Sequence, residues 1–296
     1  MKKILWTNPT KSGLCDRLQD LFLMSAYAYM HDSDLYLYWP QGSDDLNFNQ
    51  FQLNTWPTSR WTDYFKENIC LHFNLPSNIH FLPKKSSVSS EPVVPFNNYL
   101  GGVLSRKMFA EKYGLDKNSF YKFHNKALSE FTAKNKLINL VGENTQIDLS
   151  IHLRRTDKIN TNPNHVEIHT QELKWLDDMT MKCVLDQIKE SHKKLNIYVC
   201  SDCPESKNEY IDKLSSKCNI IQAPNTNHDC EQTYIDLHLL SKSQKVIMSQ
   251  KHSNFSYFAS SINESELLYF YSDNELISGS DSNRFKIFHG EVQCLL

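Results

Sequence analysis

The chain is poor in glycine, with 8 in 296 residues. No G-x-G-x-x-G occurs, which argues against an oxidoreductase built on that phosphate loop. No apolar run approaches the ~20 residues of a membrane span. Basic charge is not in excess: the net charge is −2, so nothing suggests a nucleic-acid surface. The N-terminal run Ile4-Leu5-Trp6 is stopped by Asn8-Pro9, short of the roughly 7–15 apolar residues of a signal-peptide core. A cytoplasmic location is therefore expected, with at most peripheral membrane association. Cys294 stands third from the end, where a prenylation box needs a cysteine in fourth. The 8 cysteines include one C-x-x-C, Cys200 and Cys203, with Cys218, His228 and Cys230 downstream. Zinc is conceivable there, but a second knuckle is missing. The stretch 197–200 reads as a strand that would bury Cys200 as a small core residue. Neither a metal nor another cofactor is expected, and disulfides are not implied.

What is present suits packed α/β layers. Hydrophobic residues make up 40% and charged residues 22%, with 16 Phe and 14 Tyr. The length favours two domains, here 1–142 and 143–296. The first begins as strand 4–6, a polar loop, helix 16–30 and strand 35–39. Helices are expected at 61–70, 105–113 and 119–132, with exposed loop at 82–95. The second half alternates regularly: strand 147–153, a long loop to 169, helix 170–193, strand 196–200, helix 205–215, strand 219–222, helix 230–241, strand 245–249, helix 254–262 and strand 267–271. That rhythm argues for a parallel sheet covered on both faces.

Strand 147–153 runs into His152, Arg154, Arg155, Thr156, Asp157 and Lys158. Two adjacent arginines at a strand end are costly unless an anion waits there, or unless they form a surface ion-pair cluster. Guanidinium is a planar fork that matches phosphate bidentately, and ligands of open α/β sheets bind outside the carboxyl ends of the strands. Ser249, Ser253, Asn254, Phe255 and Ser256 follow another strand. A helix start there offers main-chain N–H groups to an anion, or is an ordinary N-cap. Ser201 and Asp202 end the next strand. Asp202 could accept from a base edge or ribose hydroxyl, or cap the following helix. Asp236 is either a partner of Arg154 or Arg155, or faces solvent. Gly13, Asp16 and Arg17 open the first helix, where an acid is also favoured by the dipole. Asp32 and Asp34 form a D-x-D, the mark of metal-dependent transferases, but lie in a turn before a strand and read as turn chemistry. Asp44-Asp45 and Asp177-Asp178 read as surface pairs.

His152-x-Arg154-Arg155-Thr156-Asp157-Lys158 resembles the first peptide motif of the fucosyltransferase superfamily that includes α1,6-, α1,2- and protein O-fucosyltransferases. Ser12 to Leu18 is similar to the family's first loop. The segment 234–241, with 246–249 and 253–256, is similar to its C-terminal donor-site motifs. These segments span about residues 12 to 260. The resemblance implies the GT-B architecture, two Rossmann-like α/β domains facing a central cleft. The first would lie on the acceptor side and the second would bind the nucleotide sugar. It implies transfer of fucose or a related deoxysugar from a GDP-sugar to a glycan or lipid-linked glycan acceptor, as in polysaccharide biosynthesis. Arg154 would meet the β-phosphate in place of a metal, and Arg155 would orient the loop or a neighbouring carboxylate. Where the α1,6 branch carries a candidate glutamate base, this chain has Asn162. An inverting reaction needs a base. Asp16 and Glu167 are the candidates, and Asp157 is read as a brace for Arg155. The rival readings are a non-catalytic nucleotide- or glycan-binding protein and a metal-dependent D-x-D transferase.

Overall fold

The computed structural model describes residues 2–7, 14–39, 66–82, 93–96, 98, 100, 105–143, 145–155, 166–224, 226, 229–249, 253–270 and 276–279. The chain divides into two compact units, Met1–Leu140 with Asn225–Ile235, and Val141–Pro224 with Asp236–Leu296.

The first unit is built on a parallel sheet of order β3-β2-β1-β4. Its strands are β1 (Lys2–Trp6), β2 (Ser33–Leu37), β3 (Ile79–Phe81) and β4 (Val93–Phe96). Helix α1 (Leu14–Met30) is buried almost all round, by Leu18, Leu21, Phe22, Met24 and Ala28 among others. Such an apolar circumference marks an internal helix. Three short helices follow β2 and β4 in this unit besides a longer one: α2 (Lys66–His72), α3 (Arg106–Lys112), α4 (Lys117–Glu130) and α5 (Asn135–Val141). Phe120, His124, Ala127 and Leu128 form the buried stripe of α4, at the spacing of one helix face. Ser105 and Asp116 cap α3 and α4, accepting from the N–H of Met108 (3.0 Å) and Ser119 (2.9 Å). Gly142, at φ 85°, ends α5 in the left-handed region that glycine enters without strain.

The expected loop 82–95 overlaps β4. Pro95 is tolerated because β4 lies at the sheet edge, where a missing N–H costs no ladder bond. Strand β3 is only 3 residues long, too short for a periodic signal. The described part of helix 61–70 is α2; residues 61–65 lie outside the described residues.

The second unit holds a sheet of order β10-β9-β8-β5-β6-β7. Its strands are β5 (Ile147–Leu153), β6 (Asn196–Ser201), β7 (Asn219–Ile221), β8 (Ser243–Met248), β9 (Glu266–Phe270) and β10 (Leu276–Gly279). All pairings are parallel except that of β10 with β9. Helices α6 (Val166–Glu190), α7 (Pro204–Leu214), α8 (Asp229–Ser241), which belongs to the first unit up to Ile235, and α9 (Asn254–Ile262) connect them. All seven residues of β5 are buried, as befits a central parallel strand. Leu149, Ile151, Leu153, Val184, Ile197, Val199, Leu214, Ile247 and Leu268 share one core. From β5 the chain winds outward through β6 and β7, then returns to β8 on the other side. The order therefore reverses between β5 and β8, where ligands of open α/β sheets bind. Among the described residues, no helix is long and apolar enough to cross a membrane.

Candidate functional site

The carboxyl end of β5 delivers three basic side chains. His152 is on the strand and buried, Arg154 is half-buried just beyond it, and Arg155 is buried. Register matters here. His152 pairs with Cys200 of β6 and Met248 of β8, so its neighbours are the ends of both flanking strands.

Across the reversal point, His152 meets the start of α9. Its Nδ1 lies 2.5 Å from Ser256 Oγ and 3.2 Å from Ser253 Oγ. The Phe255 ring stands 5.3 Å from the imidazole. Ser253 occupies the N-cap position of α9, yet its hydroxyl makes no capping bond. It turns to His152 instead. The first-turn N–H groups of α9 are thus left by that hydroxyl to another acceptor, which is what an anion site requires. Ser249, one residue past β8, donates its main-chain N–H to His152 O (3.1 Å). Its buried hydroxyl has no partner among the described residues. The half-buried Asn254 completes the segment.

Arg155 behaves differently from Arg154. Its guanidinium is ion-paired with Asp177 of α6. Tyr210 of α7 donates its hydroxyl to the same carboxylate oxygen at 2.9 Å. Burial first, and the Asp177 charge second, push the Tyr210 hydroxyl well above its ordinary pKa, so it stays a donor. The main-chain N–H of Arg155 donates to Asp202 Oδ1 at 2.7 Å. Asp177 lies at the surface, its side chain 39% exposed, and its carboxylate is ion-paired with the buried Arg155. The N-cap of α7 is Cys203, without a side-chain bond; Asp202 instead accepts from the peptide that joins Arg154 to Arg155. Ser201 Oγ accepts from the N–H of Cys203 (3.1 Å), shaping the same turn.

Asp236, on α8, is buried and not solvent-facing. It accepts from the Tyr198 hydroxyl at 2.5 Å and from the Cys200 thiol at 3.3 Å. Burial, then the Asp236 charge, raise both donors well above their usual pKa. Cys200 is the buried core residue that the strand pattern implies. It is a free thiol, as are Cys203 and Cys218. Among the described residues, no cluster of His, Cys, Asp and Glu is arranged to hold a metal.

In the first unit, Asp16 stands half-buried in the first turn of α1, as the dipole favours. Arg17 is buried with its guanidinium 4.4 Å from the centre of the Trp39 ring. Asp32 is in a turn at φ 48°, whereas Asp34 belongs to β2 and lies 3.5 Å from His80. The D-x-D is thus split between turn and strand. Gly13, Asp157 and Asn162 lie outside the described residues. Glu167 is not in a loop: helix α6 begins at Val166 and includes it.

Sequence reasoning passed over Asp177, Tyr198 and Tyr210. A usable signal existed for the first. Asp177, Thr180 and Val184 recur at three and four residues along α6, and the last two are fully buried. An acid at the edge of that face, 39% exposed in its side chain, is within reach of a buried cation. Tyr210 similarly precedes the buried Leu214 by one turn.

No protein-family model matches the sequence, and no curated protein matches it. Solved structures do. Fucosyltransferase NodZ from Bradyrhizobium matches with a TM-score of 0.50 and 11% identity, covering 95% of this chain and 99% of that one. The crystal of NodZ α1,6-fucosyltransferase soaked with GDP-fucose matches with a TM-score of 0.50 and 12% identity, over the same shares. Across almost its whole length, then, the chain has the fold of the fucosyltransferase NodZ.

Proposed function

We propose that the protein is a glycosyltransferase of the fucosyltransferase type. It transfers fucose, or a related deoxysugar, from a GDP-sugar to a glycan acceptor, with inversion and without a metal, in a GT-B arrangement of its two units. One observation carries this reading. At the reversal point of the second sheet, Arg154 follows two residues after His152, to which the Ser253 and Ser256 hydroxyls at the start of α9 are turned, in a fold shared with an enzyme that was soaked with GDP-fucose.

The chemistry follows from the charges. As the acceptor oxygen forms its bond to the anomeric carbon, the bond to the β-phosphate oxygen breaks and leaves its electron pair on GDP. Arg154 and the α9 N–H groups stabilise that developing charge. The acceptor hydroxyl gives its proton to Asp16 or Glu167. Ser201 and Asp202 stand at the carboxyl end of β6, where base and ribose would lie, and Asp236 supports that strand from α8 through Tyr198 and Cys200.

The test is a thermal-shift series followed by a transfer assay. GDP should raise the melting temperature more than UDP, CMP or ADP, since a ligand of the native state stabilises it by mass action. Transfer of radiolabelled fucose from GDP-fucose to glycan or lipid-linked glycan acceptors should survive excess EDTA. Equal shifts with UDP would reject the GDP-sugar reading. Loss of transfer on chelation, restored by manganese, would reject the cationic mechanism in favour of Asp32 and Asp34.

A further inference from the structure

We infer that Asp177 and Tyr210 are positioning residues for the phosphate contact of Arg154, acting through Arg155; the inference rests on the reading of Arg154 given above. Adjacent residues in extended chain point to opposite sides. Two arginines in succession at the end of β5 therefore cannot both face one ligand. The structure shows how the pair divides its work. The Arg155 side chain is 3% exposed and paired with Asp177, so it is committed to the inside. Arg154 remains half-buried at the strand end.

What holds Arg155 inside comes from three separate elements. Asp177 belongs to α6, Tyr210 to α7, and Asp202 to the turn between β6 and α7. Asp202 grips the main chain of Arg155, fixing the peptide that joins it to Arg154. Asp177 grips the guanidinium, and Tyr210 fixes the carboxylate by donating to the oxygen that Arg155 uses. It also lies 3.2 Å from the main-chain oxygen of Asp177. Asp177 is the one carboxylate on this guanidinium among the described residues, and Arg155 Nη1 has no hydrogen-bond partner there. Among the described residues, the anchor therefore depends on one anion. Without it, the buried cation would be uncompensated and would have to swing outward. That movement would rotate the peptide to Arg154 and displace its fork from the phosphate, a bidentate contact that tolerates little misplacement.

The experiment is a double-mutant cycle on GDP affinity, with guanosine as a probe that lacks phosphates. Asp177→Asn should weaken GDP about tenfold while leaving guanosine affinity unchanged. In an Arg154→Ala background the same substitution should change GDP affinity by less than about twofold, because the contact it positions is already gone. Asp177→Glu should recover part of the loss. Tyr210→Phe, which removes only one hydroxyl, should show the same pattern at about two- to threefold and covers the case in which Asp177→Asn does not fold. A merely structural role would lower stability without separating GDP from guanosine. GDP affinity in folded Asp177→Asn and Tyr210→Phe equal to wild type would overturn the inference, as would a full loss persisting in Arg154→Ala. Failure of the underlying reading looks different: wild type would not bind GDP, or Arg154→Ala would bind it normally.

Discussion

At the reversal of the first sheet, between β1 and β4, the described chain places rings and main-chain groups. Trp6 Nε1 donates to Asn98 O (3.2 Å), Thr7 N–H donates to Phe96 O (3.0 Å), and Tyr27 packs 5.5 Å from the Phe96 ring. At the corresponding reversal of the second sheet stand an imidazole, two guanidiniums, a carboxylate and three serine hydroxyls. The strand order around each reversal is the same, with the first strand between the second and the last. Topology alone therefore does not make a nucleotide site; the side chains at the strand ends do. Of the buried arginines, Arg17 lies against the Trp39 ring and Arg155 pairs with the Asp177 carboxylate.

The largest effect should come from removing the charge at the second reversal. Arg154→Ala should abolish transfer and weaken GDP by about 10–150-fold, the equivalent of the roughly 1.5–3 kcal/mol of a charge-assisted hydrogen bond. Arg154→Lys should fail too, since a point charge does not replace a fork. Calorimetry and a radiometric assay read both; near wild-type turnover in Arg154→Ala would erase the distinction between the two sheet ends.

The base should contribute to turnover and not to donor affinity. If Asp16 is the base, Asp16→Asn should lower kcat by about 10²–10⁴ with GDP affinity unchanged. If the base is Glu167 of α6, Glu167→Gln should do so instead. Steady-state kinetics with parallel calorimetry decides between them, and weakened GDP binding in either variant would count against a base.

A smaller effect is expected at the serines. Ser253→Ala with Ser256→Ala frees His152 Nδ1 of both hydroxyls and should weaken GDP by about thirtyfold, at about 1 kcal/mol for each neutral hydrogen bond. Melting temperature measured with and without GDP separates this from loss of folding.

Acid should act on both units through one buried histidine in each. Burial, helped by the Arg106 charge, lowers His124 of the first unit to about 3. Burial, then the Lys242 charge, lowers His238 of the second to about 4. In each case the unfolded chain takes up a proton, at about 6.5, before the folded one. Stability is therefore full above that pH and falls as pH drops, by at most about 1.4 kcal/mol per pH unit for each histidine. The fall ends near pH 3 for His124 and near pH 4 for His238. Urea melts of His124→Phe and His238→Phe between pH 7 and 4 should show shallower slopes than wild type. Unchanged slopes would show that neither histidine controls acid unfolding.

Much of this was legible from residue order. The regular alternation after residue 142 predicts β5, β6, β7, β8 and β9 and the helices between them, because buried parallel strands and amphipathic helices leave strong periodic traces. The strand-end position of Arg154 and Arg155 was equally clear. Two kinds of feature were not. Short edge strands such as β3 and β4 bury too little to leave a pattern, and Pro95 disguises the latter. Pairings between distant residues, such as Arg155 with Asp177 or Asp236 with Tyr198, depend on how α6 and α8 dock on the sheet. Local spacing places Asp177 at the edge of the buried face of α6 but does not name its partner.

Cys200 and Cys203 lie three residues apart and differ in accessibility to reagents. The first is buried and bonded to Asp236, with its thiol held well above the usual pKa; a maleimide needs a thiolate and an approach, and finds neither. The second is half-buried at the start of α7, next to the Asp202 that grips the arginine loop. Cys15, Cys183 and Cys218 are buried as well, which leaves Cys70 as the other partly open thiol among the described residues. The chain thus carries a natural attachment point for a fluorophore beside its proposed phosphate clamp. A dye on Cys203 would report donor occupancy directly, without an introduced cysteine.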